Sequence, residues 1–231
     1  MMGLVGDTID RRRELMGSHA PEPVRVVRLK PERSEDVATL IARAFQDDPL
    51  CVTACPGPTE RALWLHHGFR MGMWMGFRFG QVLGTVVPLD GVAVMVAPDA
   101  GMLTEEDMDG LGYRRGRKLV GAELWDRSRT KVLAMLEPAE EALHRAVPEP
   151  NWYLDAIAVE PGQQGRGIGS ALLDAVHART DADGLPISLL TFQPRNLALY
   201  QRHGYAVVCE GTVPDGGPSW WGMRRDPSGK T

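Results

Sequence analysis

Residues 159–173 have the sequence VEPGQQGRGIGSALL, and this stretch decides the fold. A strand-like apolar run precedes the glycines at 165, 167 and 169, and an apolar helical pattern follows them. Glycines between a strand and a helix let the backbone approach a ligand, and the first turn of a helix favours anions. The stretch therefore predicts a strand–loop–helix unit that holds a pyrophosphate. The alternative is a glycine-rich turn that binds nothing.

Two familiar phosphate-binding loops do not fit this stretch. Gly162 and Gly167 have the spacing of a Walker loop, but the Lys and Ser/Thr that should follow them are missing. A dinucleotide fingerprint starting at Gly165 would need Gly or Ala where Ser170 stands, and no acidic residue ends the next strand. The loop therefore lacks both the metal-binding hydroxyl and the ribose-binding carboxylate of those folds.

Hydrophobic periodicity along the chain predicts the order β-α-α-β-β-(α)-β-α-β-α-β-β. Both hairpins and crossovers occur in this order, which indicates an α/β fold with a mixed central sheet flanked by helices. Residues 99–150 are charged, with Met and Leu at helical spacing, and predict a variable helical insertion before the strand at 151–161. We expect residues 1–23 to form a flexible tail and residues 24–231 to form a single domain.

Composition excludes several classes of protein. The net charge of −4 shows no excess of basic residues of the kind that binds nucleic acid. The most apolar zone, residues 71–89, is interrupted by Arg78 and by Gly76, Gly80 and Gly84, and is too broken to span a membrane. No secretion signal is recognisable, so we expect a cytoplasmic protein with reduced thiols. Cys51 and Cys55 with His66 and His67 lack a second ligand pair at metal-site spacing, and we expect no metal.

Two segments carry a family resemblance. LDAIAVEPGQQGRGIGSALL (154–173) resembles the acyl-CoA binding motif of the GCN5-related N-acetyltransferase (GNAT) superfamily, and RNLALYQRHGY (195–205) resembles the helix that follows it. ARAFQDDPL and GGPSWWGMRR further resemble a branch of puromycin N-acetyltransferase-like proteins. The resemblance covers residues 151–225 well and residues 24–98 loosely.

The resemblance implies an acetyl-CoA-dependent N-acetyltransferase in which an amine attacks the thioester directly. In this family the cofactor-binding strand separates from its neighbour, and its free backbone groups hold the pantetheine arm and the thioester oxygen. The implied acetyl-CoA residues are Ile157, Ala158, Val159, Gln164, Gly165, Arg166, Gly167, Ile168, Gly169, Ser170 and Asn196. Asn196 also suits a simple N-cap, and Arg166 equally suits a solvent-facing position.

Two residues are candidates for catalysis. The resemblance implies that Tyr200 is the general acid toward the departing sulfur, since a tyrosine is protonated at neutral pH; the alternative is a core aromatic residue. Asp155 is a charge in an apolar strand, so it needs a partner or a water-filled cleft. It could be the base for the amine, a substrate-binding carboxylate or the partner of an arginine. Simple alternation would place Tyr153, Asp155, Ile157 and Val159 on one face of the strand.

The acceptor pocket of this fold implies a further set of residues. The loop at 47–60, parts of 99–150 and the hairpin at 215–221 would line it. Candidate acceptor-binding residues are Asp47, Asp48, Tyr153 and Trp220. Asn151 and Leu190 stand where the puromycin-like branch commonly has His and Glu. This difference argues against simply assigning that branch's substrate to this chain.

The partners that follow are acyl-CoA and a small-molecule amine, with the chain a monomer or homodimer. Two other hypotheses stay open at this point. The acceptor could be a protein N-terminus or lysine, or the chain could be a non-catalytic acyl-CoA-binding sensor.

Overall fold

The computed structural model describes residues 23–101 and 104–229, so the tail predicted at 1–23 lies almost wholly outside the described residues. The strands are β1 (Val26–Arg28), β2 (Gly80–Thr85), β3 (Gly91–Val96), β4 (Trp152–Val159), β5 (Ile187–Thr191), β6 (Ala206–Thr212) and β7 (Ser219–Arg225). The helices are α1 (Ser34–Ala44), α2 (Pro49–Ala54), α3 (Pro58–Phe79), α4 (Glu105–Gly110), α5 (Tyr113–Val120), α6 (Ala122–Ala146), α7 (Ile168–Asp183) and α8 (Leu197–Arg202).

The strands form one seven-stranded sheet in the order β1-β2-β3-β4-β5-β7-β6. The β4–β5 pair is parallel and the other neighbouring pairs are antiparallel. Helix α7 packs on one face of the sheet, and α1 and α3 pack on the other. Helices α4, α5 and α6 stand between β3 and β4 in the chain, where the sequence predicts the insertion. The predicted α/β fold with a mixed sheet is therefore confirmed.

A short helix, α2, interrupts the segment that the sequence predicts to be the acceptor loop at 47–60. Pro49 occupies its first turn, where a missing N–H costs nothing, and the Asp48 side chain accepts from the backbone N–H of Leu50 at 3.0 Å. Pro49 and the Asp48 cap therefore start a new helix four residues after α1 ends at Ala44. The segment predicted as a loop at 47–60 therefore contains this short helix.

Arg61 on α3 fixes the position of α2. Its guanidinium is buried and donates to the backbone oxygens of Gln46 at 2.7 Å, Cys55 at 2.7 Å and Pro56 at 2.8 Å. These oxygens lie before and after α2, so one side chain holds both ends of the helix. Without Arg61 these backbone oxygens would lack hydrogen-bond donors in the interior. Arg61 therefore stabilises the wall that α2 contributes to the site described below.

Strands β4 and β5 pair only at their start. The paired residues are Trp152 with Ile187 and Tyr153 with Ser188, and the six residues of β4 that follow have no partner on β5. The two strands diverge from there and leave a gap in the middle of the sheet. The separation implied by the family resemblance is thus present in the structure.

A register shift in β4 places Asp155 outside the regular pairing with β3. Val94 pairs with Ala156 and Met95 with Leu154, so Asp155 is the extra residue of a β-bulge. Side chains after the bulge therefore point to the opposite face of the sheet from the one that unbroken alternation would give. Trp152 and Leu154 pack in the α7-side core with Ile157 and Val159, whereas Ala156 and Ala158 pack against α1 and α3.

The bulge corrects the prediction that residues 153, 155, 157 and 159 share one face. That prediction assumed unbroken alternation, and one inserted residue reverses the phase of everything beyond it.

Among the helices of the described residues, none is long and apolar enough to cross a bilayer.

Candidate active site

A cleft of about 800 Å³ opens at the gap between β4 and β5. Its floor is formed by β4, one end by the glycine loop, and the opposite walls by α1–α3 and α6. Of the predicted site residues, it brings together Asp48, Tyr153, Asp155, Ile157, Ala158, Val159, Gln164, Gly165, Gly167, Ile168, Gly169, Ser170, Asn196 and Tyr200.

The glycine loop presents free backbone donors at one end of the cleft. Gly165 and Gly167 have φ values of 77° and 82°, a left-handed conformation that other residues rarely adopt. Gly167 is the N-cap of α7, and the first helical hydrogen bond runs from the Ala171 N–H to the Gly167 oxygen at 3.0 Å. The N–H groups of residues 168–170 therefore have no partner within the helix and suit an anion.

Gly167→Ala is expected to lower the free energy of unfolding by about 1 kcal/mol, because an alanine must adopt the left-handed conformation there. It is also expected to weaken CoA binding, since any relaxation moves the N–H groups of residues 168–170. Denaturant unfolding and CoA titration of the purified variant measure the two effects. The matched control is Gly162→Ala, a loop glycine without positive φ whose Cβ would meet no atom within 4 Å. Equal CoA affinity in the two variants would contradict the role given to the loop.

The backbone of β4 offers a second set of free groups. The Glu160 N–H donates to the Asp90 oxygen at 2.8 Å, so in an antiparallel ladder residues 158 and 156 also direct their backbone groups toward β3. Residues 157 and 159 then direct theirs into the gap. Consistent with this, the Val159 oxygen accepts from the side chain of Gln164 at 3.4 Å. An extended ligand could therefore pair with Ile157 and Val159, while Ala158 lines the cleft without a free backbone donor.

Tyr200 lies on α8 at the inner side of the cleft. It is only 5% exposed, and its ring packs edge-on against Tyr205 with the centroids 5.6 Å apart. Burial, with a smaller effect from the Asp48 carboxylate, raises the pKa of Tyr200 above its ordinary value. The phenol is therefore protonated throughout the neutral range. Asn196 ends the turn before α8, and its side chain makes no capping hydrogen bond.

Asp155 projects into the cleft from the bulge. Protein surrounds the carboxylate closely, yet its side chain stays open to water in the cleft. Desolvation, followed by the nearby Glu140 carboxylate, raises the pKa of Asp155 to about 6. Within the described residues it has no hydrogen bond or ion pair. An unpaired carboxylate with this pKa is mostly ionised at pH 7 and can accept a proton.

The neighbourhood of Asp155 adds further polar groups. Tyr153 lies next to it, and burial, followed by the Asp155 and Glu140 charges, raises the Tyr153 pKa. Asp48 lies on the opposite wall, and burial raises its pKa although its hydrogen bonds at the start of α2 oppose the rise. The acceptor side of the cleft is therefore acidic.

Sequence reasoning missed Glu140 on α6, which lines the cleft opposite β4. Desolvation, followed by Glu137, raises the pKa of Glu140. A signal was available, since Leu133, Leu136 and Glu140 follow the i, i+3, i+7 spacing of one helix face. An acidic residue on an otherwise apolar helix face can indicate that the face lines a cleft. Arg129 and Arg195 also line the cleft and were missed.

Three predicted residues lie outside the cleft. Asp47 is exposed between α1 and α2, and Arg166 is exposed on the glycine loop. Trp220 is 8% exposed and packs in a small core with Ala139 and Phe192. The structure does not bring these side chains to the acidic end of the cleft.

Comparison with known proteins agrees with this geometry. A protein-family model described as "Acetyltransferase (GNAT) domain" matches residues 131–207. An uncharacterized N-acetyltransferase of Schizosaccharomyces pombe is 23% identical over 180 residues, which cover 77% of this chain and 72% of the relative. The chain is therefore similar to GNAT acetyltransferases over residues 131–207 and over the length matched by this relative. Its placement in the puromycin N-acetyltransferase-like branch stays a prediction.

Solved structures share the fold. The histone acetyltransferase HPA2 and related acetyltransferase structure from Corynebacterium glutamicum superposes with a TM-score of 0.60 at 19% identity, covering 90% of this chain and 98% of that one. The Drosophila melanogaster polyamine N-acetyltransferase, which catalyses the formation of N-acetylagmatine, gives a TM-score of 0.53 at 16% identity, covering 88% and 100%. At these identities the likeness extends to the fold alone.

Proposed function

We propose that this chain transfers an acetyl group from acetyl-CoA to the primary amine of a small molecule. The observation that carries the proposal is the meeting, in one cleft, of the glycine loop, the unpaired edge of β4, and the side chains of Asp155 and Tyr200. Each supplies one requirement of acyl transfer: anion binding, backbone donors, a base and an acid.

Bound acetyl-CoA supplies an activated thioester that the protein need not form. The N–H groups of residues 168–170 would hold its pyrophosphate, and the free backbone groups of Ile157 and Val159 would pair with its pantetheine arm. The residues present fit such a ligand, because the loop from Pro161 to Ser170 carries no acidic side chain and opens directly onto the gap. That the reaction uses no metal ion stays a prediction.

Asp155 would keep the attacking amine neutral. Its carboxylate accepts a proton from the ammonium group, directly or through water, and the freed lone pair then forms the C–N bond. Because the Asp155 pKa is about 6, the base is available at neutral pH and becomes protonated in mild acid. The backbone N–H groups of β4 stabilise the negative charge that develops on the carbonyl oxygen.

Tyr200 would protonate the leaving group when the C–S bond breaks. Its pKa is raised, which in water would make it a poor acid toward a thiolate. The departing sulfur would lie in the same desolvated region, however, and burial disfavours the charged thiolate by the same mechanism. The proton would pass from oxygen to sulfur as charge develops there, so that CoA leaves as the thiol. The second proton of the attacking nitrogen, lost as the amide forms, would return through water to the Tyr200 oxygen.

The walls of the cleft favour an amine with an apolar body. Trp64, Phe69, Leu133 and Leu136 line the acceptor side, and the Glu140 carboxylate lies among them. Glu140 suits the charged amine on entry, before Asp155 removes its proton. The polyamine N-acetyltransferase with the same fold acts on small amines, which supports this substrate class. Cytoplasmic location, a single domain over 24–231, a monomer or homodimer, and the absence of nucleic-acid or membrane partners stay predictions.

Ligand-induced thermal stabilisation followed by turnover tests the proposal. Acetyl-CoA, free CoA and longer acyl-CoAs are each expected to raise the Tm of the chain. CoA thiol release is then measured against aliphatic diamines, arylalkylamines and a lysine-bearing peptide. Turnover on the small amines and none on the peptide supports the proposal. Turnover on the peptide alone would replace it with a protein acetyltransferase, and stabilisation without any turnover would favour an acyl-CoA sensor.

Glu140→Gln is expected to raise KM for a cationic amine about tenfold and to leave KM for acetyl-CoA unchanged. The substitution removes the charge that attracts the ammonium group while keeping the side-chain volume. Initial rates with each substrate varied in turn measure the KM for the amine and the KM for acetyl-CoA separately. The control is Glu141→Gln, the next residue on α6, whose side chain is exposed and faces Arg145 at 3.6 Å. An equal change in both variants would indicate a general electrostatic effect.

A further inference from the structure

A second group of polar side chains lies outside the candidate active cleft. Asp174 and His177 are one helical turn apart on α7, and His203 follows directly after α8. Each of the three offers a ligand atom, and these atoms all lie within 4.8 Å of one another. None of the three lines the cleft or takes part in the proposed reaction.

A hydroxyl group lies near one ring nitrogen of each imidazole. His203 Nε2 lies 3.0 Å from Ser170 Oγ, and His177 Nε2 lies 3.3 Å from the Tyr205 hydroxyl. His203 Nδ1 then faces Asp174 Oδ1 at 3.5 Å, which is too long for a good hydrogen bond. Within the described residues, no hydrogen bond is made to Nδ1 of His177. Hydrogen bonds on the far nitrogen are the usual way in which proteins fix a metal-binding imidazole.

The charges around the cluster permit a cation. The charge of Arg225 acts on His177 and would oppose a metal. Its guanidinium is already paired with both carboxylate oxygens of Asp181, at 2.7 and 3.0 Å.

We propose that Asp174, His177 and His203 bind one divalent transition-metal ion, with Zn²⁺ as the ion their two imidazoles and one carboxylate suit best. Two nitrogen ligands and one oxygen ligand, with a fourth position left to water, form a common zinc environment. Tetrahedral ligands about 2.1 Å from the metal lie roughly 3.4 Å apart, so the cluster must contract. The side chain of Asp174 is 72% exposed and is free to rotate inward.

Binding at this position would join two elements of the candidate active site. Asp174 and His177 belong to the helix that begins at the glycine loop, and His203 follows the helix that carries Tyr200. The ion would therefore cross-link α7 to the end of α8 and stabilise the fold, without touching either substrate. This role is independent of the proposed acetyl transfer.

Calorimetric titration of the chelator-stripped full chain with ZnCl₂ alone tests the proposal, with thermal unfolding as the second readout. We expect saturable binding of one ion per chain at this cluster and a higher Tm with zinc. Asp174→Asn and His203→Gln are each expected to weaken that binding at least tenfold, since even outer hydrogen-bond partners of metal ligands contribute that much. The control, His144→Gln, changes an exposed histidine on α6 and is expected to bind zinc as the wild type does.

The Asp174→Asn variant keeps the test decisive, because an exposed aspartate can be replaced without unfolding the chain. A wild-type chain that shows no saturable zinc binding would overturn the proposal. Zinc affinity unchanged in a folded Asp174→Asn variant, confirmed by circular dichroism, would overturn it equally. Neither result depends on whether the chain transfers acetyl groups.

Discussion

Asp155→Asn is expected to lower kcat/KM at pH 8 by about 100-fold, the usual contribution of a positioned base. In the wild type, the rate should fall as the pH drops through about 6, because Asp155 becomes protonated there. The asparagine variant cannot titrate, so that decline should disappear. The measurement is kcat/KM for one amine from pH 5 to 9 at saturating acetyl-CoA, for both proteins. A variant that keeps the decline near pH 6 would assign the base to another group.

The same variant separates catalysis from substrate binding. A base acts only as the C–N bond forms, so its loss should lower kcat and leave KM for the amine nearly unchanged. If Asp155 instead binds the ammonium group, KM should rise and kcat should be retained. The Glu140→Gln variant gives the expected pattern for a binding carboxylate in the same cleft, which makes the two variants a matched pair.

Asp155→Asn is also expected to raise the Tm at pH 8. The folded pKa of Asp155, about 6, lies above the ordinary value of 3.8, so folding disfavours the ionised form. The destabilisation is fully present above pH 6 and is relieved as the pH falls from 6 toward 4. The gain from the substitution should therefore be largest at pH 8 and small at pH 4. Equal gains at both pH values would indicate packing rather than charge.

The glycine loop and α7 could be predicted from the sequence because their determinants are local. Gly165 and Gly167 permit backbone angles that few other residues adopt, and the apolar spacing after them fixes the helix. The gap between β4 and β5 had no such local signal. It was expected only from the family resemblance, because strand separation depends on which residues of two distant segments pair.

The faces of β4 could not be predicted for a related reason. Alternation is a property of the strand alone, whereas the bulge at Asp155 arises from its register with β3. The lone aspartate in an apolar strand was nevertheless a correct sign of a water-filled cleft. Glu140 was missed because residues 99–150 were treated as variable, although its helical face carried the same kind of sign.

Tyr200→Phe is expected to lower kcat about 100-fold, because the thiolate must then leave without a positioned proton donor. The fold should survive, since the ring keeps its packing against Tyr205 and the lost hydroxyl makes no hydrogen bond within the described residues. Steady-state kinetics with CoA titration as a companion measurement should show kcat reduced and CoA affinity retained.

Tyr205→Phe is the matched control for this substitution. The two rings are in contact, and the Tyr205 hydroxyl meets His177 at 3.3 Å outside the cleft, so its removal should leave kcat close to the wild-type value. If both variants lost activity equally, the effect of the first would come from disturbed aromatic packing. If Tyr200→Phe alone kept full kcat, the proton on sulfur would come from water, and the raised pKa of Tyr200 would then reflect only the burial that holds α8 against the sheet.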